Sequence, residues 1–144
     1  MSSPAEKTAV LVVDDDADWR VLLDMHLTHA EGINLIGIVN DATAAVGVLE
    51  QLSTFAGASS AITVVVSDVR MPGMSGLDLA AFLQKNRPEI RVVLFSSHMD
   101  DNAMVEARAV EVDAVVSKID LRDLPTVIRT VGRPPSETID LRSA

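Results

Sequence analysis

No cysteine occurs among the 144 residues, which excludes thiol catalysis, disulfide bonds and cysteine-ligated metals. Aromatic residues make up only 3% although hydrophobic residues reach 48%, so the core must be built from Val, Leu, Ile and Ala. Tyrosine is missing altogether and tryptophan occurs once. Basic residues are scarce, 12 Lys and Arg against 21 Asp and Glu, for a formal net charge of −9. That deficit argues against nonspecific binding to nucleic acid, which needs clustered Lys and Arg. It suits a cytoplasmic protein that binds a cation. No apolar run approaches the roughly 18 residues needed to span a bilayer, so no membrane partner is expected. The segment Met1–Lys7 is polar and lacks the apolar core of a signal peptide. Neither a Walker pattern nor GxGxxG occurs, and no repeat suggests a solenoid. A chain of 144 residues suits one domain with a core of ordinary size.

What is present centres on Ala61 to Gly76, AITVVVSDVRMPGMSG. Its β-branched apolar run, Ile62 to Val66, reads as a strand buried on both faces. The run ends at Ser67-Asp68 and breaks into a loop with a Pro72-Gly73 turn and a second glycine, Gly76. A carboxylate at the C-terminal tip of a buried parallel strand sits where open α/β sheets place their chemistry. The bland alternative is that Asp68 caps the following turn.

From the N-terminus, residues 1–7 are expected to be a disordered segment, 8–132 a single domain and 133–144 a tail or the start of a linker. Thr8 to Val13 form another buried-strand run, ending on Asp14, Asp15 and Asp16. A helix follows with Trp19, Leu22, Leu23, His26 and Leu27 on one face, capped by Asp16 or Asp18 and closed by Glu31-Gly32. His26 is read as a packed or half-exposed structural histidine. Leu35 to Val39 is a short strand, Ala42 to about Phe55 a helix, and Ala56 to Ser60 a small-residue loop. Ser75 and Asp78 have the spacing of a capping box, opening a helix that Asn86-Arg87-Pro88 stops. Val92 to Phe95 reads as a strand leading into Ser96-Ser97-His98, and Asp100-Asp101 as the cap of a helix through Val110. Ala114 to Val116 is the fifth strand, ending in Ser117-Lys118. Asp120 and Asp123 are the expected caps of a last helix, with Pro125 in its first turn.

Strands and helices thus alternate through the chain, which implies an α/β fold with a parallel sheet and helices on both faces. In such a sheet the C-terminal strand tips share one edge, so Asp14, Asp15, Asp68, Ser96 and Lys118 converge. Clustered carboxylates repel unless a cation compensates, and Mg2+ is the natural one because it prefers oxygen ligands and takes one or two carboxylates with phosphate oxygens. A lysine beside such a cluster suits a phosphoryl group as second anion, and aspartate is a known nucleophile towards phosphorus.

At these residues the chain resembles the receiver domains of two-component response regulators, particularly those of LuxR/NarL-type regulators. The matching segments are LVVDDD (Leu11–Asp16), VVVSDVRMPGMSGLDL (Val64–Leu79), VVLFSS (Val92–Ser97) and AVVSK (Ala114–Lys118), in order and with family-like spacing from about Thr8 to Val131. The resemblance implies a flavodoxin-like doubly wound sheet of five parallel strands, order 2-1-3-4-5, with five helices on two faces. It also implies that Asp68 accepts a phosphoryl group from the phosphohistidine of a sensor histidine kinase or a histidine phosphotransfer protein. Asp15, Asp68 and the backbone carbonyl of Arg70 would bind Mg2+ directly, and Asp14 would act mainly through a bound water. Ser96 would donate to the phosphoryl oxygens and Lys118 would pair with them. Such a domain is no enzyme beyond its own phosphorylation and dephosphorylation, and it can dimerise. Arg70 and His98, two residues beyond Asp68 and Ser96, occupy rim positions that tune phosphoryl loss in the family.

The chain also departs from the family pattern. Val115 stands where a Tyr or Phe often switches, Ile119 follows the lysine in place of Pro, and Glu111-Val112 replaces a Gly-Ala that would end a helix. Two other readings compete. Asp14 and Asp16 form a DxD, as in phosphatases of the haloacid dehalogenase type, but no strand follows Lys118 to carry the further acid pair, and Asp68 would have no role. A pseudo-receiver that binds partners without phosphorylation is the other; the intact Asp15, Asp68, Ser96 and Lys118 speak against it.

Overall fold

The computed structural model describes residues 7–55, 62–97 and 110–132, with Met104, Ala107 and Arg108. The order is β1 (Thr8–Val13), α1 (Ala17–Thr28), β2 (Ile33–Val39), α2 (Ala42–Phe55), β3 (Val64–Ser67), α3 (Gly76–Asn86), β4 (Arg91–Ser96) and β5 (Ala114–Ser117). A 3-10 turn, Lys118–Asp123, then leads into α4 (Leu124–Val131). The five strands form one sheet in the order β2-β1-β3-β4-β5, every neighbouring pair parallel. This is the flavodoxin-like arrangement expected. Of the helix expected after β4, Met104, Ala107 and Arg108 are helical, and its Asp100-Asp101 cap lies outside the described residues. So do the loop 56–60 and the terminal segments 1–6 and 133–144.

The strands are apolar on both sides because each side is covered. Leu11 and Val13 of β1 point into a core with Ala45 and Leu49 of α2 and Leu79, Ala80 and Leu83 of α3. Val10 and Val12 point the other way, into a core with Leu23 and Leu27 of α1 and Leu124 and Ile128 of α4. The period-2 alternation of a strand thus divides one run of valines between two cores. Phe95 is the largest fully buried side chain among the described residues, so aliphatic packing carries both layers, as the shortage of aromatics requires.

Several local expectations are corrected. Leu22 is 45% exposed, so the buried stripe of α1 runs through Leu23 and Leu27 alone. That helix ends with His29 as C-cap, before Glu31-Gly32. Of its two expected N-cap candidates the structure bears out Asp16, which accepts from the Asp18 amide at 2.9 Å. Asp123 makes no side-chain cap bond to α4. The 3-10 turn intervenes, and Ser117 caps it by accepting from the Ile119 amide at 3.3 Å. Glu111 has φ 54°, so the position still adopts the left-handed backbone that glycine would favour. Placing an L-residue there costs about 1–2 kcal/mol, part of which glycine gives back in chain entropy. Glu111→Gly is therefore expected to raise the unfolding free energy by about 0.5–1 kcal/mol in urea titrations.

Candidate functional site

The sheet ladder sets the site by running one residue past each strand. The Asp68 amide donates to the Val13 carbonyl at 2.9 Å, and the Asp14 amide donates to the Val39 carbonyl at 3.1 Å. These bonds hold Asp14 and Asp68 side by side at the C-terminal edge. Ser96 pairs in register with Ser117, which brings Lys118 to the same edge. Behind Asp68 the chain turns sharply: the Gly76 amide donates to the Val69 carbonyl at 2.9 Å. A Cβ at Gly76 would overlap the Asp68 carbonyl oxygen and lie 2.9 Å from its carbon, so only glycine admits this closure. The capping box of Ser75 and Asp78, both bonds 3.1 Å, then starts α3.

Lys118 lies between the two buried acids. Its Nζ is 2.8 Å from Asp14 Oδ2 and 3.3 Å from Asp68 Oδ2, with side-chain exposures of 6%, 1% and 11% for Lys118, Asp14 and Asp68. The second contact is also a hydrogen bond. The first is a close ion pair, and Lys118 is the polar partner of Asp14 Oδ2 among the described residues. Asp14 Oδ1 accepts from the Asp16 amide at 2.9 Å, and the Asp14 carbonyl accepts from Arg20 Nη1 at 2.9 Å. Burial pushes the Asp68 carboxyl above the usual carboxylate range. The Lys118 ammonium opposes that rise and the neighbouring Asp14 carboxylate adds to it, while hydrogen bonds from Lys118 and the Val69 amide oppose it.

Asp14, Asp15 and Asp68 each present an oxygen within 4.8 Å of the others. Three carboxylates gather here and the Lys118 ammonium pairs with two of them, Asp14 and Asp68, which leaves the group with excess negative charge. An all-oxygen donor set with excess negative charge fits a hard divalent cation such as Mg2+. An open cleft of about 410 Å³ lies over the group, lined by Asp15, Asp16, Trp19, Asp68, Arg70, Ser96, Ser97 and Lys118. Among the described residues, the sequence-derived metal and phosphoryl-site residues are gathered at this edge: Asp15 and Arg70 exposed on the wall, Ser96 buried at 1% exposure, and Asp14 beneath. His98 lies outside the described residues. His26, read as structural, is half-buried on α1 and does not line the cleft. Trp19, expected on the apolar face of α1, does pack on the core, and it also joins the cleft wall, a role that sequence reasoning missed. Its position just past the acid triplet, at the sheet edge that carries the site, was the available signal.

Residues 10–129 match the family model of the response regulator receiver domain. The chain belongs to that family. It is 36% identical over 102 residues to the DNA-binding transcriptional regulator NtrC of Escherichia coli K12, covering 71% of this chain and 20% of that protein. With protein-glutamate methylesterase/protein-glutamine glutaminase 5 of Myxococcus xanthus it shares 32% over 121 residues, 84% of this chain and 31% of that one. This receiver domain thus spans about a fifth to a third of the curated relatives it matches. Among solved structures it resembles the signal receiver domain of the putative response regulator NarL of Mycobacterium tuberculosis. The TM-score is 0.70 at 25% identity, covering 88% and 93% of the two chains. A LuxR-family response regulator of Staphylococcus aureus shares the fold, with TM-score 0.77, 21% identity and coverage of 88% and 99%. No helix among the described residues is long and apolar enough to cross a membrane.

Proposed function

We propose that this receiver domain is a phosphoacceptor, taking a phosphoryl group onto Asp68 and changing its protein contacts as a result. The observation that carries the reading is the buried Lys118 ammonium 3.3 Å from Asp68 Oδ2, beside a three-carboxylate group, at a sheet edge of the receiver fold. A carboxylate oxygen of Asp68 attacks phosphorus while the P–N bond of a kinase or phosphotransfer-protein phosphohistidine breaks and the imidazole leaves with the electron pair. Asp15, Asp68 and the Arg70 carbonyl would hold Mg2+, with Asp14 acting through a bound water. When bound, that ion neutralises charge on the phosphoryl oxygens and on the acid cluster. Lys118 supplies the fixed positive charge opposite the incoming phosphoryl group, and the Ser96 hydroxyl donates to one of its oxygens. Positioning and charge neutralisation carry the reaction, because little covalent work falls to the protein. Arg70, exposed at the rim, would shield or orient the water that later removes the group. The domain would act in the cytoplasm. The changed contacts would fall on β5 with the last two helices, the one after β4 and α4, into which Ser96 and Lys118 lead, and there Val115 is half-buried without an aromatic ring to rotate.

Incubation with acetyl phosphate and Mg2+ followed by intact-mass spectrometry tests this. The expected result is a gain of one phosphoryl group, absent in Asp68→Asn and absent when chelator removes the metal. A gain that survives Asp68→Asn would put the modification elsewhere and end the proposal.

A further inference from the structure

The chain's single tryptophan is used in a way that the phosphoacceptor reading leaves unexplained. Trp19 stands in the first turns of α1, and Lys118 Nζ lies over its ring, 4.8 Å from the centroid. Phe95, the residue before Ser96, brings a second ring to 5.9 Å from the same nitrogen. The two rings meet edge to face, centroids 5.6 Å apart at 86°, an arrangement that fixes both planes. The ammonium therefore faces two carboxylates and two aromatic rings with little solvent around it. A leucine at position 19 would fill the seam between α1 and the sheet, but it offers no negative face to a cation.

We infer that Trp19, supported by Phe95, is a positioning residue for Lys118, holding the ammonium at the cleft whatever the state of the carboxylates. The inference rests on the proposed role of Asp68. When Asp68 carries a phosphoryl group, its negative charge lies on the phosphoryl oxygens, and the attraction now seen at 3.3 Å is redirected towards them. Attraction to a ring quadrupole is unaltered by that exchange. The ammonium then shifts within the cleft instead of swinging out of it. Asp14, 2.8 Å away, keeps its pull on the ammonium throughout, and the two rings fix the side from which that ammonium faces the cleft.

A double-mutant cycle on the full chain tests the inference with Trp19→Leu, Lys118→Met and the pair combined, and Trp19→Phe as the conservative variant. The first readout is the rate of phosphoryl uptake from acetyl phosphate with Mg2+. Trp19→Leu is expected to slow uptake about tenfold, Trp19→Phe to restore most of it, and Trp19→Leu to cost less than about twofold once Lys118 is Met. An equal penalty in both backgrounds would mean packing alone and overturn the inference. The second readout is urea unfolding, which needs no phosphoryl chemistry. The effects of the two substitutions on the folding constant are expected to depart from a simple product by about threefold or more. Independent effects would overturn the inference. Should the unsubstituted chain take up no phosphoryl group, the phosphoacceptor reading itself fails, and the unfolding cycle still decides whether Trp19 and Lys118 are coupled.

Discussion

Gly76→Ala is expected to cost the fold about 3 kcal/mol and to cripple the site with it, although no atom of Gly76 takes part in any chemistry. The added Cβ would overlap the Asp68 carbonyl oxygen, lie 2.9 Å from the Asp68 carbonyl carbon and 3.0 Å from Ser67 Oγ. None of these can yield cheaply. The Asp68 carbonyl accepts from Ser67 Oγ at 2.9 Å, and the Asp68 amide is tied to Val13. The strain must therefore move either β3 or the start of α3, whose capping box is already closed. Either movement shifts Asp68 relative to Asp14 and Lys118, so phosphoryl uptake should fall with stability. Urea denaturation and the acetyl phosphate assay measure the two losses. Gly47→Ala is the control: nothing lies within 4 Å of its Cβ position in the middle of α2, so alanine there should add up to about 1 kcal/mol through helix propensity. Equal effects at the two glycines would show that the closure at Gly76 is less tight than its geometry implies.

That contrast marks where sequence reasoning succeeds and where it stops. The strands were legible because a parallel sheet covered on both sides demands continuous β-branched runs, and β1 begins and ends where its apolar run does. The convergence of Asp14, Asp68, Ser96 and Lys118 followed from the same logic, since parallel strands end on one edge. Ser75 and Asp78 were legible because a capping box is a local bond pattern with fixed spacing. What stayed hidden depends on contacts between distant segments. Gly76 looks like any loop glycine until the Asp68 carbonyl is seen against it. Leu22 has helical spacing with Trp19 and His26, yet the sheet covers only the Leu23–Leu27 side of α1. Asp123 looks like a cap because the 3-10 turn from Lys118 to Asp123 has no apolar signature separating it from the helix that follows. Trp19 matched the core pattern, and its second role appears only once Lys118 arrives from the other end of the chain.

Lys118→Met should cost more stability than Gly76→Ala, and its dependence on pH should identify the cause. Methionine keeps the length and apolar stem of lysine but leaves Asp14 and Asp68, both buried, without their shared cation. Removing one partner from a buried charge group costs about 3–5 kcal/mol at neutral pH. In the native protein, burial already holds the Asp68 carboxyl above its usual range, with Lys118 the main influence pulling it down. A folded-state value above the unfolded one means that the folded protein binds this proton more tightly. Asp68 therefore favours the fold at acid pH, and that contribution is lost as pH rises through the raised folded value. Without Lys118, the remaining influences of burial and the Asp14 carboxylate push the carboxyl higher still, so the window of lost stability extends further towards neutral pH. The stability gap between Lys118→Met and the unsubstituted chain should be widest near neutral pH and should close as pH falls towards the ordinary carboxylate range. Excess Mg2+ should narrow it at neutral pH, because a cation bound only by the folded acid cluster stabilises that state by mass action. Phosphoryl uptake should not recover in parallel. Loss of a preorganised charge opposite the transferring group is worth about a hundredfold or more in rate, and a metal on the carboxylate side does not replace it. Urea titrations across pH, with and without Mg2+, together with uptake rates, separate these effects. A gap that stays constant with pH would assign the loss to packing around the lysine stem, and the charge balance proposed for Asp14, Asp68 and Lys118 would then be wrong.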